Sequence, residues 1–319
     1  MMSQERSPGP GNAQSYRFVP EKKPSLRVGG QAVIEGVMMR SAHSMAVAVR
    51  KPDGEIAVRR KGLHFFSEKM FFSKLPLVRG ILALAGALVL GMEALNYSAS
   101  QALPEQEKAP GSWTMGITFA VALCFGVVLF FLLPLFLTRW MRFFISGISE
   151  GGMIFNLVDG IIRLILFLGY LWAISLLKDI QRIFQYHGAE HKSIFAFEAG
   201  EELVIDRVRG FSYLHPRCGT SFLLIVMVVS ILVFGLLPHS LPFGYKVASR
   251  VVLIPIIAGL SYEIIRLADQ RRLNRGVQIL IRPGLWLQRL TAREPSADQI
   301  EVALRALQEV LELERSENY

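Results

Sequence analysis

Residues 113–137 form an unbroken run without a single charged side chain. A helix needs about 20 mainly apolar residues to cross the hydrocarbon of a bilayer, and in lipid only a helix or a closed barrel satisfies its own backbone groups. The run therefore reads as a membrane span, and Arg139, Trp140 and Arg142 follow it as an interfacial anchor. Three further segments have the same character. Residues 152–177 are long enough but include Asp159 and Arg163, four apart with the acid first, which is the favourable order for a pair on one helix face. Residues 218–237 are uncharged, and residues 247–267 carry Glu263 near their end. With 52% hydrophobic and only 19% charged residues, against about 25% charged in soluble domains, the chain is expected to be a mainly α, polytopic helical membrane protein.

Residues 75–103 are different, because Arg79 and Glu93 bracket an apolar core of residues 80–92 only. That core is too short to cross, so a re-entrant or interfacial helix is expected there. Orientation follows from the basic residues. Residues 1–74 contain thirteen and residues 266–293 contain seven, which places both termini in the cytosol and requires an even number of spans. Four spans satisfy this, as two helical hairpins, 113–177 and 218–268, separated by a cytosolic insert, 178–217.

Outside the hairpins the sequence changes texture. Residues 1–25 are rich in Ser, Pro, Gly and charge and are expected to be a disordered tail, with no apolar stretch of a signal peptide. Residues 26–74 read as a small cytosolic β-containing module. Its first part, LRVGGQAVIEGVMMR, is punctuated by glycines that suggest tight turns, and SMAVAVR and EIAVRR flank Lys51-Pro52-Asp53-Gly54 as a β-hairpin. After the spans, residues 269–319 read as a basic linker and an amphipathic helix capped near Ser296, with Ile300, Ala303, Leu304, Leu307, Val310 and Leu311 on one face. That helix is expected to pack on the β module.

Several function classes are excluded or weakened. Two cysteines, Cys124 and Cys218, make no disulfide framework. The net charge of +9 is assigned to cytosolic loops and anionic lipid headgroups, so the expected partner is the bilayer and no specific nucleic acid. No internal repeat is visible, which argues against a common secondary-transporter design.

The chemistry concentrates in the insert, where Tyr186-His187-Gly188-Ala189-Glu190-His191 spells H-x-x-E-H. On a helix His187 and His191 project from one face and can reach one ion, and the spacing is that of the inverted zincin motif, with Glu190 as candidate catalytic base. The alternative is a solvated juxtamembrane helix on which His and Glu are ordinary. A second cluster, His215-Pro216-Arg217-Cys218, closes the insert at the mouth of the third apolar segment. His215 and Cys218 are candidate zinc ligands alongside His187 and His191, while Glu198, Glu201, Glu202 and Asp206 are also within reach. Glu35, in the glycine-rich stretch, is a weaker candidate, and Asp159 with Arg163 reads as a structural pair.

The motifs GGQAVIEGVMMR, YHGAEHKSI, HPRCGTSF and PGLWLQRLTAREP, in this order, resemble the YqhQ-like family of bacterial membrane proteins of unknown function, described as predicted metal-dependent enzymes. The resemblance runs from about Leu26 to Leu311. It implies a cytoplasmic-membrane location and carries onto this chain at Glu35, His187, Glu190, His191, His215 and Cys218. The leading expectation is a zinc-dependent, hydrolase-like membrane enzyme whose substrate, a lipid headgroup or membrane-protein segment, lies at the cytosolic interface. Its rival is a non-enzymatic membrane factor with a basic cytosolic platform and at most a structural metal. A transporter ranks third.

Overall fold

The computed structural model describes residues 26–63, 75–103, 111–145, 153–216, 218–238, 241–270 and 275–317. The tail expected at 1–25, the end of the β module at 64–74 and the start of the basic linker lie outside the described residues. The protein is mainly α and polytopic, with a small antiparallel sheet near its N-terminus.

The sheet is a four-stranded meander: β1 (Gly29–Val33), β2 (Gly36–Arg40), β3 (Ser44–Arg50) and β4 (Ile56–Gly62). The expected hairpin across Lys51–Gly54 is β3–β4. The glycine-rich stretch, read as turns, is itself a hairpin, because Ile34-Glu35 makes a two-residue turn with Glu35 in the left-handed region at φ 52°. Both faces of the sheet are covered, so β3 is buried at six consecutive positions instead of alternating. On one face Val37, Met39, Ala46 and Ala48 pack against α5 (Lys178–Ala199) and α11 (Ala297–Glu317). Ile300, Ala303, Leu304, Leu307, Val310 and Leu311 of α11 are all buried in that layer. On the other face Met38, Met45, Val47 and Val49 meet Leu90 and Ala94 of α1 (Pro76–Ala102).

The apolar helices differ from the sequence expectation in membership. Three are long and apolar enough to cross a membrane, Pro76–Ala102, Gly116–Met141 and Ile154–Ser175, and a bent pair makes a fourth. Helix α1 is thus one continuous helix of 27 residues. The charges that interrupted it on paper have partners. Arg79 Nη2 lies 2.6 Å from Glu263 Oε2, and Glu93 pairs with Arg59 and Lys61 of β4. Conversely, α7 (Thr220–Gly235), in the segment read as the third span, has only 16 residues, about 24 Å at 1.5 Å per residue.

Two prolines shape the rest. Pro134 cannot bond back into the preceding turn, and the helix absorbs the defect as a π turn, Val128–Leu132, between α2 (Ser112–Val127) and α3 (Leu133–Met141). Pro255 breaks the last apolar segment into α8 (Phe243–Val252) and α9 (Ile254–Gln270), bent by 47°. The expected intrahelical pair is present on α4 (Met153–Ser175), with Arg163 Nη2 2.6 Å from Asp159 Oδ2. It belongs to a larger network, since Arg250 of α8 reaches the same oxygen at 3.3 Å and Arg163 donates to Ser230 Oγ of α7 at 2.7 Å. Phe234 stacks under both guanidinium groups. Residues 275–291, expected as linker, form a further helix, α10 (Arg275–Thr291), whose Leu287 packs with Phe167, Leu171 and Met227.

Candidate metal centre

The H-x-x-E-H segment sits in the middle of α5, which begins with Asp179 in its first turn and stops at Gly200, a left-handed C-cap. Gly188 interrupts the helix interior at a cost of about 1 kcal/mol relative to alanine. The reason is contact, not conformation. A Cβ at Gly188 would lie 2.0 Å from the carbonyl oxygen of Arg293, whose own N–H donates to Phe184 O at 2.9 Å. The strand of chain leaving α10 is thereby seated directly on α5.

His187 and His191 lie one turn apart with ring centroids separated by 4.3 Å. Each ring is held from behind by a backbone carbonyl: Nδ1 of His187 donates to Thr291 O at 2.7 Å, and Nδ1 of His191 to Tyr213 O at 2.5 Å. A carbonyl only accepts, so the proton resides on Nδ1 in both rings and both Nε2 atoms present lone pairs. Burial also holds the His191 imidazole below its usual range, opposed by its hydrogen bond with Cys218. Low basicity favours the neutral ring, which is the form that ligates metal.

Cys218 meets these rings from the start of α7. Its Sγ lies 3.1 Å from His187 Nε2 and 3.1 Å from Thr220 Oγ1. The ligand atoms of His187, His191 and Cys218 all fall within 4.8 Å of one another. Two imidazole nitrogens and one thiol sulfur, oriented by second hydrogen bonds, are a donor set that fits zinc.

His215 does not join the three. Its ring centroid is 5.6 Å from that of His191, it packs edge-on to Phe195, and its Nε2 lies 3.8 Å from Glu198 Oε2. Its backbone instead fixes the loop that carries Cys218. Gln288 of α10 accepts from His215 N–H and donates to His215 O, both at 2.8 Å. Among the described residues, Glu198, Glu201, Glu202 and Asp206 stay outside the cluster of three.

Glu190 is buried, with Oε2 3.9 Å from His187 Nε2. Desolvation pushes its carboxyl above the usual range, while His187, His215 and the Gly30 backbone N–H work in the opposite direction. Strand β1 comes this close only because residue 30 is glycine, since a Cβ there would lie 2.7 Å from Glu190 Cγ. Glu35 contributes differently. It forms a two-pronged ion pair with Arg182 and accepts from the Tyr186 hydroxyl at 3.3 Å, pinning the β1–β2 turn to α5 one turn ahead of His187.

His187, Glu190, His191, His215 and Cys218 line a cavity of about 560 Å³. Its walls come from residues 28–32, from α5, from Cys218 to Leu223, from Thr291, and from Leu171 and Ile174 at the end of α4. The sequence motifs contained the three ligand candidates and Glu190. They contained no signal for the Thr291 and Tyr213 carbonyls, because backbone groups are common to every residue. Gln288 had no spaced partner to mark it.

A family model described as "Protein of unknown function (DUF1385)" matches residues 75–313. "Uncharacterized protein YqhQ" of Bacillus subtilis (strain 168) is 35% identical over 305 residues, which cover 90% of this chain and 92% of that protein. No solved structure matches the chain. The extent of both matches, which take in α5, the Cys218 loop and α10, means that the chain belongs to the DUF1385 family of unknown function.

Proposed function

We propose that the protein is a zinc-dependent hydrolase of the bacterial cytoplasmic membrane, acting at the cytosolic face. The observation that carries this reading is the convergence of His187, His191 and Cys218 beside a buried carboxylate, with both imidazoles locked in the Nε2-ligating tautomer. Three protein ligands leave a fourth position open, the mark of catalytic sites, whereas structural zinc is closed by four. A bound zinc ion would supply Lewis acidity and lower the pKa of water toward neutrality. The chain's own contribution is to hold the ligands, to exclude bulk solvent with the walls of the cavity, and to move a proton. Glu190 is the group suited to the last task, since burial raises its basicity and its carboxylate lies at the edge of the ligand cluster.

The metal is tested by elemental analysis of protein purified in mild detergent, without chelator or polyhistidine tag. Near-stoichiometric zinc is expected, falling below a tenth of that in His187→Ala, His191→Ala. Wild-type protein that folds and works without metal would remove this reading and leave the non-enzymatic membrane factor ahead.

The same proposal sets the topology. Sheet residues 29–62 precede α1 in the chain, and the last turns of α1 pack back on that sheet, which supports an interfacial helix that does not cross. Segments 113–141, 153–177, 218–237 and 243–268 then cross, and both termini are cytosolic. Reporter fusions at residues 106, 200 and 316 should be cytosolic and a fusion at residue 147 external. An external reporter at residue 106 would make α1 a true span and defeat the four-crossing arrangement.

A further inference from the structure

We propose that the substrate is an extended polypeptide segment that adds to the outer edge of β1 at Ala32, so that the hydrolysed bond is a peptide bond close to the membrane surface. The inference rests on the hydrolase reading above and narrows it to one substrate class.

Strand β1 is an outer strand of the sheet, paired only with β2. In an antiparallel pair, alternate residues direct their N–H and C=O toward the partner strand and away from it. The two-residue turn makes Val33–Gly36 the closing hydrogen-bonded pair, so Gln31 and Gly29 also face β2. Gly30 and Ala32 therefore face outward. The Gly30 N–H turns to the Glu190 carboxylate, away from β2, which agrees with that phase. Among the described residues, the outward N–H and C=O of Ala32 meet no hydrogen-bond partner, and residues 28–32 line the same cavity as His187, Glu190, His191 and Cys218.

Ala32 thus presents an N–H and a C=O at backbone spacing, which another extended backbone matches and a lipid headgroup does not reproduce. The edge runs beside α5, and the Gly30 contact with Glu190 sets its register relative to the ligand cluster. A strand laid against Ala32 would lie along the cavity that Ala32 shares with the cluster. Leu171, Ile174 and Leu223, from the ends of apolar helices α4 and α7, also line the cavity and suit an apolar side chain. Their position favours segments that leave a bilayer. The reaction balances simply. Water adds through oxygen to the carbonyl carbon, Glu190 takes its proton and passes it to the amide nitrogen, and the C–N bond breaks to give a carboxylate and an amine. No oxidant or reductant is needed.

The test uses the full chain, zinc-loaded, in detergent micelles, with a library of proteome-derived peptides as the probe and new termini read by mass spectrometry. Cleavage with a recurring residue preference is expected. Ala32→Pro, which removes one outward N–H but no bond to β2, should retain zinc yet lower cleavage at least tenfold. A second readout needs no turnover. In zinc-loaded Glu190→Gln, a cleavable peptide should slow backbone amide exchange in residues 28–33, and this holds whether or not Ala32→Pro folds. Arg40 also lines the cavity, so vesicles of phosphatidylethanolamine and phosphatidylglycerol form a separate arm. Lipid hydrolysis without peptide cleavage, no new termini from zinc-replete protein, or unchanged exchange at residues 28–33 would each overturn the peptide assignment. Absence of zinc would instead strike the hydrolase reading on which it stands.

Discussion

Glu190→Gln is expected to keep the zinc content of the wild type while lowering turnover of a cleaved peptide by about 10²–10⁴-fold, the usual contribution of a positioned acid–base group. The amide keeps the shape of the side chain and can still sit against the Gly30 N–H, so the fold around β1 and α5 should survive. What it loses is the capacity to take up a proton. The carboxylate is 3.9 Å from His187 Nε2 and outside the cluster formed by His187, His191 and Cys218, which separates two roles experimentally. Zinc retained with activity lost identifies a base. Zinc lost together with activity makes Glu190 a ligand, and unchanged activity removes it from the chemistry altogether.

Asp159→Ala should be the most damaging single change to stability. The carboxylate is 1% exposed and serves two buried guanidinium groups, Arg163 and Arg250, from two helices. Removing one partner of a buried ion pair costs about 3–5 kcal/mol because the remaining charge is left without compensation, and here two charges are left. Thermal unfolding followed by size-exclusion chromatography in detergent should show a markedly lowered midpoint, with reduced abundance in the membrane. Replacing Asp159, Arg163 and Arg250 together by apolar residues of similar volume should recover most of the loss. A lone intrahelical pair would tolerate exchange of its two members. This network should not, since an aspartate at position 163 would be one helical turn from the place that Arg250 reaches. Wild-type stability in Asp159→Ala would refute the account.

The contrast between the pair and the network shows where sequence reading stops. The i,i+4 relation of Asp159 and Arg163 is local, and so is that of His187 and His191, because a helix fixes both from spacing alone. Arg250 joins the first pair and Cys218 the second only through packing of distant segments. Cys218 was still recognisable, because cysteine beside histidine carries its own chemical signature, whereas an arginine near the end of an amphipathic helix looks like an interfacial residue. The apolar runs raised a different difficulty. Hydropathy averages over Pro134 and Pro255, although each proline marks a helix defect on its own, and it treats Arg79 as a break although Glu263 pairs with it. Gly188 offered a further readable clue, since a glycine inside an otherwise good helix usually marks a close approach.

The way the C-terminal chain is seated on α5 has a consequence for biosynthesis. Thr291 holds His187, Arg293 lies on Gly188, and α11 completes the core beneath α5. A nascent chain emerging from the ribosome therefore has both histidines and the cysteine long before it has the supports that aim them. The supports from Thr291 to Leu311 follow Cys218 by 73–93 residues, about 4–19 s of synthesis at roughly 5–20 residues per second. A chain that ends before Thr291 has all three candidate ligands but neither the carbonyl that orients His187 nor the helix that backs α5.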